Sequence, residues 1–424
     1  MRTRILWSAG LTFLLAACQK EKGIIPVNDN WPLFDSPQAT ALAPKPLRAM
    51  EGVYQVEEGT DLFGGLVAVK TNYVVTGTDT TYHLSAFYEN DIGWLIMDGK
   101  RSGDSILLKG SWRKMVNTET GSVRLSIAAG NGATQLFGPN PVISPGGVVM
   151  LGQYGTGTEV PSKGIRFSYA RKLFNGHAFE ILAHRAGGRT SDLLQYSENS
   201  IEMMRNASSF GATGIEIDVR LTRDGVPVLY HDNTLNLRLI QKNGLVGPID
   251  AFTYQQLYSQ VRLIDGQRIP MLREALNTVV YETDLRFVWL DTKFEGSLEP
   301  IRALQAEFLQ RAAAAGRQLR IVIGLPTEEA LNSFKALPGF QNIPSLCELS
   351  LEDVDDINAN IWAPRWTEGL QNEAVAGVKA SGRQAFVWTL DVPEYIAQFS
   401  NEGMFDGILS NYPSLVAYNY YVKQ

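Results

Sequence analysis

The sequence predicts two domains, an all-β sandwich or barrel followed by an α/β fold of the (β/α)8 barrel type, and three observations carry that reading. At 424 residues the chain is too long for one ordinary domain. From about Met50 to Ala170, short runs of β-formers are punctuated by Gly, Asn and Asp, with no amphipathic helix between them. From about Phe179 the rhythm changes to strand-then-helix and holds to the end. Composition agrees with a globular chain: 45% of residues are hydrophobic and 19% charged. The 38 basic residues against 44 acidic ones supply no basic field for nucleic acid.

The first segment, MRTRILWSAGLTFLLAAC, reads as a targeting signal over residues 1–17. Arg2 and Arg4 form a basic start, and Ile5 to Leu15 an apolar run too short to span a membrane. Leu15-Ala16-Ala17-Cys18 looks like a bacterial lipobox, which implies cleavage before Cys18 and lipidation of its thiol. Processing leaves 36 basic residues against 44 acidic, a net −8. Cys347 then has no intramolecular partner; in the apolar IPSLCELS it reads as a buried thiol. Residues 18–49, rich in Pro, Asn and Lys, read as a flexible tether. The start Cys18-Gln19-Lys20-Glu21-Lys22 resembles signals that send lipoproteins to the outer cell surface. The expected location is therefore the envelope of a Gram-negative bacterium, at the outer membrane or cell surface.

In the all-β domain (50–170) the expected strands are GVYQVEEG, GGLVAVKT, YHLSAFYE, GWLIMDGK, SILLKGSWRK and SVRLSIAAG. Tyr54, Phe63, Tyr82, Phe87, Trp94 and Trp112 could line a sugar or lipid site, although such residues more often form core. His83 reads as packed or exposed rather than as a ligand, and no catalytic constellation stands out.

In the second domain (179–424) the expected strands are FEILAH, GIEIDVR, RFVWLDTK, LRIVIGL, PSLCELS, NIWAPR, QAFVWTL and GILSN. Amphipathic segments such as NSIEMMRNASSFG and PIRALQAEFLQRAAAAG separate several of them. Eight strands with helical crossovers suit a single (β/α)8, or TIM, barrel, with a doubly wound open sheet as the alternative. No glycine-rich phosphate loop follows any strand, which argues against a nucleotide cofactor.

The chemistry gathers in about fifty residues, from Ile181 to Asp232. Residues i and i+2 of a strand share a face, so Glu216 and Asp218 project together, as do Asp291 and Lys293. Three carboxylates supply hard oxygen ligands for one divalent cation, Ca²⁺ or Mg²⁺. That leaves His184 and His231 free for proton transfer. Arg185 and Lys293 suit the charge of a phosphate. Asp232 could orient an imidazole, but neighbouring strand residues face opposite ways. His177 lies in a polar stretch and is not expected to do chemistry.

His184-Arg185, Glu216-Ile217-Asp218, His231-Asp232 and Asp291-Thr292-Lys293 closely resemble, in order, the motifs of the glycerophosphodiester phosphodiesterase family. The likeness runs from Ile181 to Pro413 and includes HDNTLNLR, IPMLREAL and the closing segments VWTLD and FDGILSNYP. It implies a TIM barrel in which Glu216, Asp218 and Asp291 bind the metal. By the same likeness His184 and His231 form the acid/base pair, and Arg185 and Lys293 contact the phosphate. The family's first step uses the neighbouring glycerol hydroxyl, and water then opens a cyclic phosphate. Glu198 is a metal ligand or a support, and Trp388 a wall for the alcohol group or a core residue.

Three departures are visible: HRAGG for the commoner HRG, SENS for PENT, and Asp291 where many members carry Glu. The last resembles the spider-venom sphingomyelinase D branch. The expected substrate is thus a small glycerophosphodiester or a lysophospholipid. The rivals are phospholipase-D-like cleavage that leaves a cyclic phosphate and a non-catalytic glycan- or lipid-binding lipoprotein.

Overall fold

The computed structural model describes residues 29–424 apart from Val116 and His177. The signal segment, Cys18 and His177 thus lie outside the described residues.

The first domain is a closed antiparallel barrel. Its eight strands are β1 (Gly52–Glu58), β2 (Leu66–Thr76), β3 (Asp79–Tyr88), β4 (Gly93–Ser102), β5 (Ser105–Lys114), β6 (Thr120–Ile127), β7 (Val149–Tyr154) and β8 (Lys163–Arg171). Each pairs with the next, and β8 returns to β1. The open choice between sandwich and barrel thus resolves to an up-and-down barrel. The closing pair, β7 and β8, is absent from the six expected strands. β7 carries Gly152 where a Cβ would lie 1.8 Å from the Arg124 carbonyl, so close backbone packing interrupts its apolar run.

Aromatic side chains fill the barrel. Phe63 stands edge-on to Tyr88, Tyr154 and Phe167 at 5.2, 5.7 and 5.2 Å, and Tyr54 and Trp112 are buried in the same cluster. Phe87 and Trp94 point outward and pack on the second domain, while half-buried Tyr82 meets Tyr73. These residues form core and interface rather than a ligand site. His83 pairs with Asp98 on the next strand at 2.7 Å.

Residues 29–49, expected as tether, instead pack on this barrel. Trp31 stacks on Phe34, Leu47 is buried, and Thr40–Ala41 adds a short strand beside Lys100 and Arg101.

The second domain is a closed ring of eight parallel strands. They are β9 (Glu180–Ala183), β10 (Gly214–Leu221), β11 (Phe287–Thr292), β12 (Arg320–Leu325), β13 (Ser345–Cys347), β14 (Ile361–Trp362), β15 (Gln384–Val387) and β16 (Gly407–Ser410). β9 pairs with both β10 and β16, closing the ring and excluding the open sheet. Besides a helix at Tyr254–Gln260, the helices are α1 (Ile201–Asn206), α2 (Leu272–Glu282), α3 (Glu299–Ala314), α4 (Glu328–Lys335), α5 (Leu351–Asp356), α6 (Asn372–Ala380), α7 (Pro393–Glu402) and α8 (Pro413–Tyr421). Local chemistry starts several of them; Thr327 caps α4, and Ser350 with Asp353 forms a capping box on α5.

Leu182, Phe287, Trp289, Leu346, Phe386 and Leu409 fill the ring. Gly324 makes room for Trp289, since a Cβ there would lie 2.2 Å from the indole nitrogen. Cys347 is fully buried. Between β10 and α2, residues 222–271 make an excursion with its own core around Tyr230, Leu239, Ile249 and Leu257. This excursion brings His231 back over the carboxyl-end rim.

Candidate active site

The rim at the carboxyl ends of the strands collects the chemistry. Glu216 and Asp218 project together from β10, and Asp291 of β11 lies directly beside Asp218 in the parallel register. One oxygen from each of the three falls within 4.8 Å of the others, and their exposures are 1%, 0% and 8%. Glu216 Oε1, Asp218 Oδ1 and Asp291 Oδ1 are buried with no hydrogen-bond donor among the described residues. Their partner oxygens are held. Glu216 Oε2 accepts from the Arg185 amide at 2.9 Å, and Asp218 Oδ2 from Asn199 Nδ2 at 2.7 Å. Lys293 Nζ lies 2.5 Å from Asp291 Oδ2 and 3.6 Å from Asp218 Oδ1.

Burial raises all three carboxyls, and mutual repulsion adds to it at Glu216, which sits well above the ordinary range. Asp291 is also raised, with Lys293 partly offsetting its burial. At Asp218 the charges of Lys293, His231 and Arg185 outweigh burial and hold the acid below its usual value. Buried acids with bare oxygens aimed at one point form a group that could hold a divalent cation.

His184 follows β9 directly. Its Nδ1 lies 2.8 Å from Asn411 Oδ1, while Asn411 Nδ2 donates to Asp391 at 2.6 Å. With the amide nitrogen thus committed, Asn411 offers an oxygen, so Nδ1 carries the proton and Nε2 is bare. That Nε2 faces the cavity, 3.8 Å from Glu216. Burial, with the Arg185 charge beside it, pushes His184 down to about 4. The ring is therefore neutral at pH 7.

His231 has the same polarity with a different acceptor. Its Nδ1 lies 2.7 Å from Asp232 Oδ1, and its carbonyl accepts from Arg220 at 2.7 and 3.1 Å. The opposite-faces argument against Asp232 does not hold, because the short strand Pro227–Leu229 has ended and both residues lie in the bend that follows. Asp232 also accepts from Arg238 and Asn236; burial is outweighed, and the acid is held far below its usual value.

Arg185 adopts φ +51°, a left-handed conformation that turns the chain sharply after His184. Its Nη1 donates to Glu198 Oε1 at 2.8 Å. Glu198 also accepts from the Thr190 amide at 2.7 Å and from Arg238 at 3.0 and 3.1 Å. Both its oxygens are engaged, so it supports the arginine and does not join the bare carboxylate group.

A cavity of about 890 Å³ opens above these residues. Trp388 forms part of its wall, with the indole N–H donating to Ala363 and the Arg365 guanidinium 4.8 Å above the ring.

The sequence profile of the glycerophosphoryl diester phosphodiesterase family matches residues 184–321, the stretch that carries both histidines, the three acids and Lys293. Those residues belong to the glycerophosphoryl diester phosphodiesterase family. The chain is therefore an enzyme of the phosphoric diester hydrolase class. It is 25% identical over 239 residues to the glycerophosphodiester phosphodiesterase of Caldanaerobacter subterraneus subsp. tengcongensis, covering 55% of this chain and 94% of the relative. It is 29% identical over 252 residues to "Probable glycerophosphodiester phosphodiesterase 2" of Mycobacterium tuberculosis, covering 55% and 88%. A solved phosphodiesterase of Oleispira antarctica, in complex with sn-glycerol-3-phosphate, is 24% identical, with coverage of 56% and 95% and a TM-score of 0.46.

Several residues of this phosphodiesterase site were given no role from sequence. Asn411 and Asp391 fall within the closing segments NYP and TLD, so their places were marked but not their hydrogen bond to His184. Asn199 lies in SENS, and Arg238 ends HDNTLNLR. Glu348, just after β13, lines the cavity and carries a buried oxygen with no hydrogen-bond partner among the described residues. A lone acid in an apolar strand carries no signal in the sequence.

Proposed function

We propose that the enzyme hydrolyses glycerophosphodiesters to sn-glycerol 3-phosphate and an alcohol. The observation that supports this most is the pair of imidazoles: each has Nδ1 fixed on an acceptor, and both rings line one cavity edged by Glu216 and Asp291. Glu216, Asp218 and Asp291 would hold one Ca²⁺ or Mg²⁺, which when bound draws charge from a phosphoryl oxygen. Arg185 and Lys293 add fixed positive charge at the phosphate. His184, neutral and bare at Nε2, takes the proton of the neighbouring glycerol hydroxyl as it attacks phosphorus. His231, its Nδ1 held by the Asp232 carboxylate, delivers a proton to the departing alcohol oxygen. Water then opens the cyclic phosphate with the two roles reversed.

³¹P NMR of a form lacking residues 1–18, with glycerophosphocholine, glycerophosphoinositol and a lysophospholipid, tests this. Each substrate is run with Ca²⁺, with Mg²⁺ and with chelator. A monoester signal that chelation abolishes is expected. A cyclic phosphate that never opens would instead establish phospholipase-D-like chemistry, to which Asp291 in place of Glu points. No turnover of any substrate would sink the reading.

We propose further that Cys18 carries a lipid anchor that holds the enzyme at the outer membrane or cell surface. The basic start, apolar run and lipobox support this, and no described helix is long and apolar enough to cross a membrane. A C18A variant should move from the detergent-soluble membrane fraction to the aqueous one. Unchanged partitioning would refute the anchor.

A further inference from the structure

Arg113 belongs to β5 of the first barrel, yet its guanidinium ends inside the second. It is 1% exposed, and its Nη2 donates to the carbonyls of Asp192 and Leu193 at 2.8 and 2.9 Å. Those carbonyls lie in the segment that follows the His184-Arg185 turn. Asp192 closes that segment on itself, accepting from the Arg189 amide at 2.8 Å and its side chain at 2.9 Å. Leu193 holds φ +52°, a conformation that a non-glycine residue keeps only under outside constraint.

Two routes lead from this segment to reacting groups. The Thr190 amide donates to Glu198, which holds Arg185. On the other route Arg189 Nη1 lies 3.9 Å from Asp391, and Asp391 fixes Asn411, the residue that sets the tautomer of His184. The barrels do not need Arg113 to stay together. Trp94 against Phe210, Phe87, and the nearly all-buried α8 join them in one apolar cluster, and Ser209 donates to Asn72 at 2.7 Å.

We infer that the first barrel is a working part of the active site. Arg113 is a positioning residue that braces residues 189–193 and through them orients Arg185 and His184 for the phosphodiester. The turnover part of this inference rests on the proposed hydrolysis; the bracing itself does not.

The test uses the full chain with Arg113→Met and Arg113→Lys, and Asn72→Ala as an interface control. kcat, KM and hydrogen exchange of residues 186–199 are measured. Loss of a brace that holds groups in attack geometry is expected to lower kcat about tenfold in Arg113→Met, with KM changing less than about threefold. Exchange in 186–199 should accelerate while other strands of the second barrel stay protected. Arg113→Lys, which keeps the charge but not the planar fork, should fall between. It also keeps the test open if the methionine variant fails to fold. Asn72→Ala should keep wild-type kcat and wild-type exchange at 186–199. Wild-type kcat and exchange in both Arg113 variants would overturn the inference. So would an equal loss of kcat in Asn72→Ala, which would reduce Arg113 to ordinary interface packing. A wild-type enzyme inactive on every substrate would remove the functional reading alone, and the exchange measurement would still decide the bracing.

Discussion

In the proposed reaction His184 and His231 are divided into base and acid by the partner of Nδ1: a neutral amide oxygen for one, a carboxylate for the other. Removing His231, or Glu216 from the acid group, should each cost at least ~10²-fold in turnover, the scale of an acid/base or metal-holding group. His231→Ala and Glu216→Ala should meanwhile keep the wild-type circular dichroism. Near-wild-type rates in either would refute the roles. The carboxyl group also sets a pH dependence. Because Glu216 is raised well above its ordinary range, it holds a proton at mildly acid pH that a cation must displace. Cation affinity should therefore strengthen as pH rises toward neutrality, by up to about tenfold per unit for one released proton. Calorimetric titration with Ca²⁺ or Mg²⁺ at several pH values measures this, and a flat profile would contradict it. These principal residues were legible because each motif packs two functional groups into two or three positions. Asn411 and Arg238 were not, because hydrogen bonds to partners 227 and 40 residues away leave no local mark.

At the scale of elements, the alternation of strand and helix made all eight strands of the second barrel readable, since a strand buried on both faces is a short apolar run. The 222–271 excursion was opaque because it keeps no single period. That excursion is nonetheless what carries His231 back to the rim, and Arg238 ties it down by joining Asp232 to Glu198. Strand β12 shows how tightly the ring interior is specified. Gly324→Ala would push a methyl to 2.2 Å from the Trp289 nitrogen and 3.0 Å from the Leu290 carbonyl. Such overpacking costs about 1–3 kcal/mol. Because Trp289 lines the cavity, thermal denaturation should show a lower Tm, and KM should rise as the indole is displaced. An unchanged Tm would mean that the ring absorbs the methyl freely.

At the scale of the whole molecule the two barrels share buried surface, which a division into two successive domains does not anticipate. One signal was present: in β3 the run Leu84-Ser85-Ala86-Phe87-Tyr88 is apolar at all but Ser85, where an antiparallel strand with one face in water would alternate, and all five residues are buried. Phe87 and Trp94 face the second barrel, where Phe210, Tyr418, Tyr420 and Tyr421 are each no more than 9% exposed. Cutting out the first barrel would bare these side chains. Each large apolar group returned to water costs about 1.5–3 kcal/mol. Four or five of them rival the ~5–15 kcal/mol that holds a whole domain folded. The intact chain should therefore unfold in one calorimetric transition, and residues 179–424 alone should aggregate or melt far below it. Two resolved transitions, or an isolated second barrel as stable as the whole, would show instead that the shared surface contributes little. The joint prediction with Arg113 is that no fragment of this enzyme recovers full activity: the first barrel covers the apolar face of the second and, by the inference drawn from Arg113, braces the turn that holds His184.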